Sequence, residues 1–201
     1  KESEVENLGL MYLATIAQSY GYEPILLKDK GQLTAEEILD QRPSIVGFQI
    51  FTGYHKRMFQ LADQVRKSGT FVMIGGPHAT YFFDDCQEHA DQVYKGEAIN
   101  TFLTPSPFNE KLTNPDEFPF PYRGWASGDI QNIMTSFGCV KRCSYCYNSA
   151  WQEMYDSYQV RQRSVDSVLK EADQCSAKLI FFQDDFFGWD IKWLREFTQK
   201  W

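Results

Sequence analysis

Three cysteines fall close together, in the run Ser136-Phe137-Gly138-Cys139-Val140-Lys141-Arg142-Cys143-Ser144-Tyr145-Cys146. Only two others exist, Cys86 and Cys175. At that frequency, cysteines at both +4 and +7 from some one of the five arise by chance roughly a few times in a thousand. An odd total argues against a disulfide scaffold. Three thiolates on one tight loop can hold three irons of a 4Fe-4S cube and leave the fourth open to a small molecule. Soft sulfur also suits zinc or copper(I). Structural zinc wants a fourth ligand, for which only Cys86, Cys175 and scattered histidines remain. A zinc-stabilised, non-catalytic binding module is therefore the alternative from another class. Asp184 and Asp185 form a second chemical feature. An acidic pair closing a strand can accept a hydrogen bond from an ammonium group, or can simply cap a turn.

The elements that carry these residues are read from periodicity. Leu10, Leu13, Ala14 and Ala17 have helical spacing, and Gly21 is a stop. Ile25, Leu26 and Leu27 read as a strand after Pro24. Thr34 with Glu37 is a capping box. Ile45 to Ile50 is a strand, and Met58, Leu61, Ala62 and Val65 line one helix face ending at Gly69. Phe71 to Ile74 is a strand running into Gly75-Gly76-Pro77-His78, and a short strand around Gln92 to Tyr94 precedes Gly96-Glu97. Pro105, Pro107, Pro115, Pro119 and Pro121 then mark a linker. Ile130 to Thr135 is a strand leading into the cysteines. Ser164 caps a helix with Val165, Val168, Leu169 and Ala172 on one face. Lys178 to Phe182 is a strand ending at the acidic pair, and Asp190 opens a last amphipathic helix. Alternating strands and helices predict a parallel α/β sheet.

Composition sets the outer bounds. Twenty basic against 27 acidic residues leave a net charge of −7, which disfavours nucleic-acid binding through phosphate contacts. No apolar run approaches the roughly 18 residues that span a bilayer, and no basic-then-apolar leader opens the sequence, so a cytoplasmic protein is expected. The boundaries expected are an α/β domain over residues 1–102, a proline-rich linker over 103–128 and a second domain over 129–201. The second domain has too few strand–helix units to close a barrel. Residues 1–201 are thus expected to be a portion of a longer polypeptide. Gly75-Gly76 lacks the G-x-G-x-x-G of a dinucleotide site.

The C-x-x-x-C-x-x-C loop, with Tyr145 before the last cysteine, resembles that of the radical S-adenosylmethionine superfamily. The resemblance implies that Cys139, Cys143 and Cys146 ligate a 4Fe-4S cluster whose open iron chelates S-adenosylmethionine, with Tyr145 near the adenine. It implies that an electron from the cluster cleaves the sulfonium to a 5′-deoxyadenosyl radical. The Phe-x-Asp-Asp-x-Phe run over Phe182 to Phe187 resembles members that carry an N-terminal cobalamin-binding domain, with Asp184 and Asp185 near the methionyl amine; the glycine-glycine-glutamate form is absent. Asn7-Leu8-Gly9-Leu10-Met11-Tyr12-Leu13-Ala14, Gly75-Gly76-Pro77-His78-Ala79, Lys95-Gly96-Glu97 and Asn114-Pro115-Asp116-Glu117-Phe118-Pro119-Phe120-Pro121 are similar to that domain and to the entry into the barrel.

The fold implied is a doubly wound, Rossmann-like parallel sheet followed by the start of a partial (β/α) TIM-like barrel. The corrin of cobalamin would lie over Phe51, Thr52, Gly53, Tyr54, Gly75, Gly76, Pro77, His78, Gly96 and Glu97, at the carboxyl ends of the strands. Glycines there would let a planar ring approach. The D-x-H-x-x-G motif is absent, so the resemblance is to members that bind cobalt without a protein histidine. The activity implied is a cobalamin-dependent methyltransferase acting on an unactivated carbon or phosphorus centre. Radical cyclisation or rearrangement is the alternative. The partners implied are a small-molecule or peptide substrate and an electron donor such as flavodoxin or ferredoxin. Lys141 and Arg142 in the loop read either as solvated charges or as a docking patch for that donor. No catalytic acid or base is assigned. Cys86, Cys175 and the tryptophans Trp125, Trp151, Trp189 and Trp193 are read as packing.

Overall fold

Asn7 opens the first helix, Leu8–Ser19 (α1), its side chain accepting from the Leu10 N–H at 3.2 Å. The computed structural model of the chain describes residues 6–99, 102, 114–126, 129–155 and 159–201. Because α1 is apolar nearly all round, spacing alone misjudged its inner face: Leu8, Met11, Tyr12 and Ala14 are buried, and only Ala14 was expected. Two units divide the chain, one of residues 23–110 and one of 1–22 with 111–201. α1 packs within the second of these units, on Phe118, Phe120, Tyr122 and Phe137.

In the 23–110 unit the Thr34–Glu37 capping box forms as expected and starts Ala35–Leu39 (α2). Ile45–Gln49 (β1), His55–Lys67 (α3), Phe71–Gly75 (β2), Pro77–Tyr81 (α4), Phe83–Gln87 (α5) and Gln92–Val93 (β3) come next. The three strands are parallel, in the order β1-β2-β3. Val72, Met73 and Ile74 of the central strand are all buried, so both faces of the sheet are covered, as a parallel sheet requires. Ile50, Ala62, Val65, Val72 and Ile74 are fully buried in one core. Each of the larger aliphatic chains contributes about 1.5–3 kcal/mol by leaving water.

The expected strand at residues 25–27 does not form. Ile25 and Leu27 are 57% and 39% exposed, and no ladder includes them. A three-residue apolar run after a proline has too few paired groups to hold itself against a sheet.

In the other unit the described part of the proline-rich segment, from residue 114 on, runs as a strap packed on α1, in keeping with an extended linker that packs on a neighbour. The Tyr122 N–H donates to the Met11 carbonyl at 2.9 Å, and Thr15 Oγ1 donates to the Phe120 carbonyl at 2.7 Å. Pro105 and Pro107 lie outside the described residues. Ile130–Ile133 (β4), Ser136–Phe137 (β5), Tyr147–Met154 (α6), Arg161–Gln162 (β6), Val165–Ala172 (α7), Leu179–Phe182 (β7) and Ile191–Lys200 (α8) complete the chain. β4 and β7 pair in parallel with α7 between them, the repeat from which a (β/α) barrel is built. β5 and β6 make a two-residue antiparallel ladder. Ile133, Val165, Val168, Trp193 and Phe197 form the core beneath β4 and β7.

Candidate functional site

The cysteine loop leaves the carboxyl end of β4 through a corner that Asp184 holds. The Asp184 carboxylate accepts from the Thr135 N–H at 3.1 Å, from Thr135 Oγ1 at 2.7 Å and from Ser136 Oγ at 2.7 Å. The β5–β6 ladder then clamps Ser136 and Phe137 opposite Gln162 and Arg161. Gly138 turns the chain at φ +92°, a left-handed conformation costly to any side chain.

Helix α6 cradles the loop from the other side. Gln152 Nε2 donates to the Cys139 carbonyl at 2.7 Å, and Ser149 Oγ donates to the Cys143 carbonyl at 3.0 Å. Cys146 is the N-cap of α6. The Lys141 N–H points at Cys139 Sγ, 3.4 Å away. All three thiols are free and half-buried.

This donor set suits a thiolate-ligated centre in kind: soft sulfurs, a helix N-terminus and a backbone N–H aimed at sulfur. The side chains are not gathered, however. Among the described residues no three of His, Cys, Asp or Glu stand close enough to hold one ion. The structure offers a loop with its donors rather than a closed cage.

Tyr145 is 90% exposed on the loop, its hydroxyl pKa raised by hydrogen bonding to the Cys143 thiol. Asp185, also exposed, accepts from the Tyr147 hydroxyl at 2.9 Å. The acidic pair therefore ties down both ends of the cysteine loop, Asp184 just before it and Asp185 just after it.

Sequence reasoning missed a buried charge network behind this corner. Glu171, with no exposed surface, bridges Arg163 and Arg123. Arg123 also pairs with Glu6 at 3.1 Å, and Glu6 accepts the Asn132 N–H of β4 at 2.6 Å. Arg163 donates to the Met134 carbonyl at 2.9 Å. Two acids and two guanidiniums thus form one network that fixes the carboxyl end of β4. Its members lie far apart in sequence, so no local spacing reveals it. Nearby, burial first and Glu171 second push the Tyr12 hydroxyl pKa up. Arg161 is buried over the rings of Phe137 and Phe118, at 5.4 and 5.8 Å.

In the 23–110 unit the parallel register brings the other expected contacts to one edge. Phe51, Thr52, Gly53 and Tyr54 come after β1, Gly75, Gly76, Pro77 and His78 close β2 and open α4, and Gly96 and Glu97 come after β3. Residues 51–54 and Pro77 are exposed, whereas Gly75, Gly76, Gly96 and Glu97 are half-buried. The Gly96 N–H donates to Thr80 Oγ1 at 3.2 Å, tying the segment after β3 to α4.

Two residues there serve the fold first. Gly76 has φ +97°, and a Cβ on it would lie 2.9 Å from Gln49 Cγ and 3.0 Å from the Ile50 nitrogen. The end of β1 by itself demands a glycine here. His78 is only 2% exposed, with Nδ1 2.9 Å from Thr52 Oγ1. It faces inward and stacks on His55.

The sequence matches the B12 binding domain family over residues 2–104. It is 23% identical, over an alignment of 224 positions, to bacteriochlorophyllide d C-12(1)-methyltransferase of Chlorobaculum tepidum, covering 96% of this chain and 46% of that protein. A 60-residue stretch is 35% identical to bacteriochlorophyllide d C-8(2)-methyltransferase of the same organism, covering 30% of this chain and 13% of that one. The chain thus spans less than half the length of the curated relatives it matches. Among solved structures it is similar to the radical S-adenosylmethionine methyltransferase TsrM of Kitasatospora setae, with tryptophan and an S-adenosylmethionine analogue bound. That match has a TM-score of 0.69 at 15% identity and covers 99% of this chain and 48% of that one. At this identity the likeness is one of fold.

Proposed function

The chain belongs to the B12 binding domain family, and from that membership we propose that it is the cobalamin-binding and S-adenosylmethionine-activating portion of a radical methyltransferase. One observation carries this reading: the family match ends before a loop that presents three cysteines at the carboxyl end of a parallel strand. Barrel enzymes hold their reactive groups at that end. Methyl transfer is preferred to cyclisation or rearrangement because both curated relatives and the similar solved structure are named methyltransferases.

Cys139, Cys143 and Cys146 would hold a 4Fe-4S cluster, and residues 51–54, 75–78 and 96–97 a corrin; bound there, the groups supply an electron to a sulfonium and a transferable methyl. The chain's own residues do the positioning. Asp184 fixes the corner from which the loop springs. Gln152 and Ser149 hold the loop's carbonyls inward, leaving the thiols free to turn toward a common centre. Tyr145 stands exposed beside Cys146, where an aromatic face can cover an adenine. Lys141 and Arg142, both exposed, provide a positive rim for an acidic electron donor of the flavodoxin or ferredoxin type. A small-molecule or peptide would be the methyl acceptor. No helix among the described residues is long and apolar enough to cross a membrane.

Anaerobic reconstitution with iron, sulfide and hydroxocobalamin tests the reading. The expected product is a chain with roughly four irons and four sulfides and a bound corrin spectrum. A folded chain that takes up zinc and neither of these would refute it.

A further inference from the structure

All three histidines of the chain meet on one side of the 23–110 unit. His55, at the start of α3, stacks on His78 of α4 with ring centroids 4.4 Å apart and 14° between planes. Phe82 also stacks on His78 at 5.0 Å, and Phe59 meets both imidazoles at 5.8 Å. Both Nδ1 atoms of the pair are spent on one loop. His78 Nδ1 is 2.9 Å from Thr52 Oγ1, and the Gly53 N–H donates to His55 Nδ1 at 3.2 Å. That loop, residues 51–54, has Gly53 at φ +102° and exposes Phe51 and Tyr54.

We propose that the stacked His55–His78 pair is a proton-sensitive brace that holds residues 51–54 in the form that receives a corrin, so that acidification loosens the loop and weakens corrin binding. The corrin half of this rests on the function proposed above. With Nδ1 accepting from Gly53, neutral His55 carries its proton on Nε2. A second proton would convert Nδ1 from acceptor to donor and set it against the Gly53 N–H. Two protonated rings in a stack also repel, so the pair cannot charge without parting.

The surroundings decide how hard the stack resists. Burial first, and His55 second, hold the His78 pKa below its ordinary value, while Asp85 opposes them. Asp85 Oδ2 stands 3.4 Å from His78 Nε2 without a well-formed hydrogen bond. A cleft of about 420 Å³ beside the pair is lined by Lys56, Asp84, Asp85, Glu88 and His89. Of these Lys56 repels an incoming proton and the three carboxylates attract one. His89 is turned away to Asp63, at 2.9 Å.

The test is amide hydrogen exchange of residues 51–54 in the whole chain, expressed as protection relative to intrinsic rates, at pH 7.5 and pH 5.5. Protection of the Gly53 amide should fall about tenfold at the lower pH while β2 amides stay protected. His55→Asn, whose Oδ1 can stand in for Nδ1 without titrating, should keep the protection at both pH values. His55→Ala should lose it at both, and His89→Gln should behave as the native chain. Equal protection of native Gly53 at the two pH values, or an unchanged His55→Ala, would overturn the brace. A parallel hydroxocobalamin titration should weaken at pH 5.5 in the native chain and not in His55→Asn. If no corrin binds at any pH while exchange responds as described, the brace stands and the corrin assignment fails.

Discussion

Replacing Asp184 by Asn separates two roles for this carboxylate, a ligand for S-adenosylmethionine and an anchor for the cysteine loop. The carboxylate accepts three hydrogen bonds, from groups on Thr135 and Ser136 that are themselves 1% exposed. Hydrogen bonds to a charged group contribute about 1.5–3 kcal/mol each when sheltered. Asp184 is half-buried, so solvent reduces the total. Asn keeps one oxygen for the two hydroxyls, at the neutral value of about 1 kcal/mol each. Its amide nitrogen would then face the Thr135 N–H, donor against donor. The net loss is about 2–4 kcal/mol. With a urea slope of about 1–3 kcal/mol per molar, the unfolding midpoint should drop by about 1 M or more in protein free of any ligand. Asp185→Asn, whose Oδ1 can still accept from the exposed Tyr147 hydroxyl, should shift the midpoint by about a tenth of that or less. An Asp184→Asn midpoint equal to the native one would refute the anchoring role and return Asp184 to ligand binding alone.

Three further outcomes are expected from the packing. Glu171→Gln should destabilise the unit of residues 1–22 and 111–201 by about 3–5 kcal/mol in urea unfolding, because Arg163 and Arg123 lose their shared counter-ion while still buried. Gly76→Ala should cost about 2 kcal/mol or more, since it combines a left-handed backbone with contacts of 2.9 and 3.0 Å, read as a lower thermal midpoint of the 23–110 unit. Acid titration should show one carboxylate step from Asp29, whose pKa the Arg57 guanidinium holds down at about 2 against an ordinary 3.8. The folded-state value is depressed, so this stability is present above 3.8 and is lost as pH falls toward 2; Asp29→Asn should remove the step.

Much of the fold was legible where the signal is local. The Thr34 and Ser164 caps, the α3 face at Leu61, Ala62 and Val65, and β1, β2 and β7 lie where periodicity and turn residues put them. Cys86 is fully buried, its pKa pushed up to about 11 by burial, in keeping with a packing role. What failed was decided by partners distant in sequence. The run at residues 25–27 has strand composition but no neighbour to pair with. The inner face of α1 is chosen by the strap at 118–122 and by Phe137, not by its own spacing. Asp184 and His78 sit at strand ends, where their positions suggest ligand contact; that their side chains also hold Thr135, Ser136 and Thr52 depends on partners distant in sequence. The Glu6–Arg123–Glu171–Arg163 set shows the same limit, since its first pair is separated by 117 positions.

The proposed chemistry rests on a three-thiolate iron–sulfur centre at the loop carrying Cys139, Cys143 and Cys146. Iron and acid-labile sulfide counted on anaerobically reconstituted chain decide whether it exists. Roughly four of each per chain are expected, falling sharply when any one of the three cysteines is changed to alanine. Folded protein devoid of iron, with one zinc retained at that loop, would contradict it.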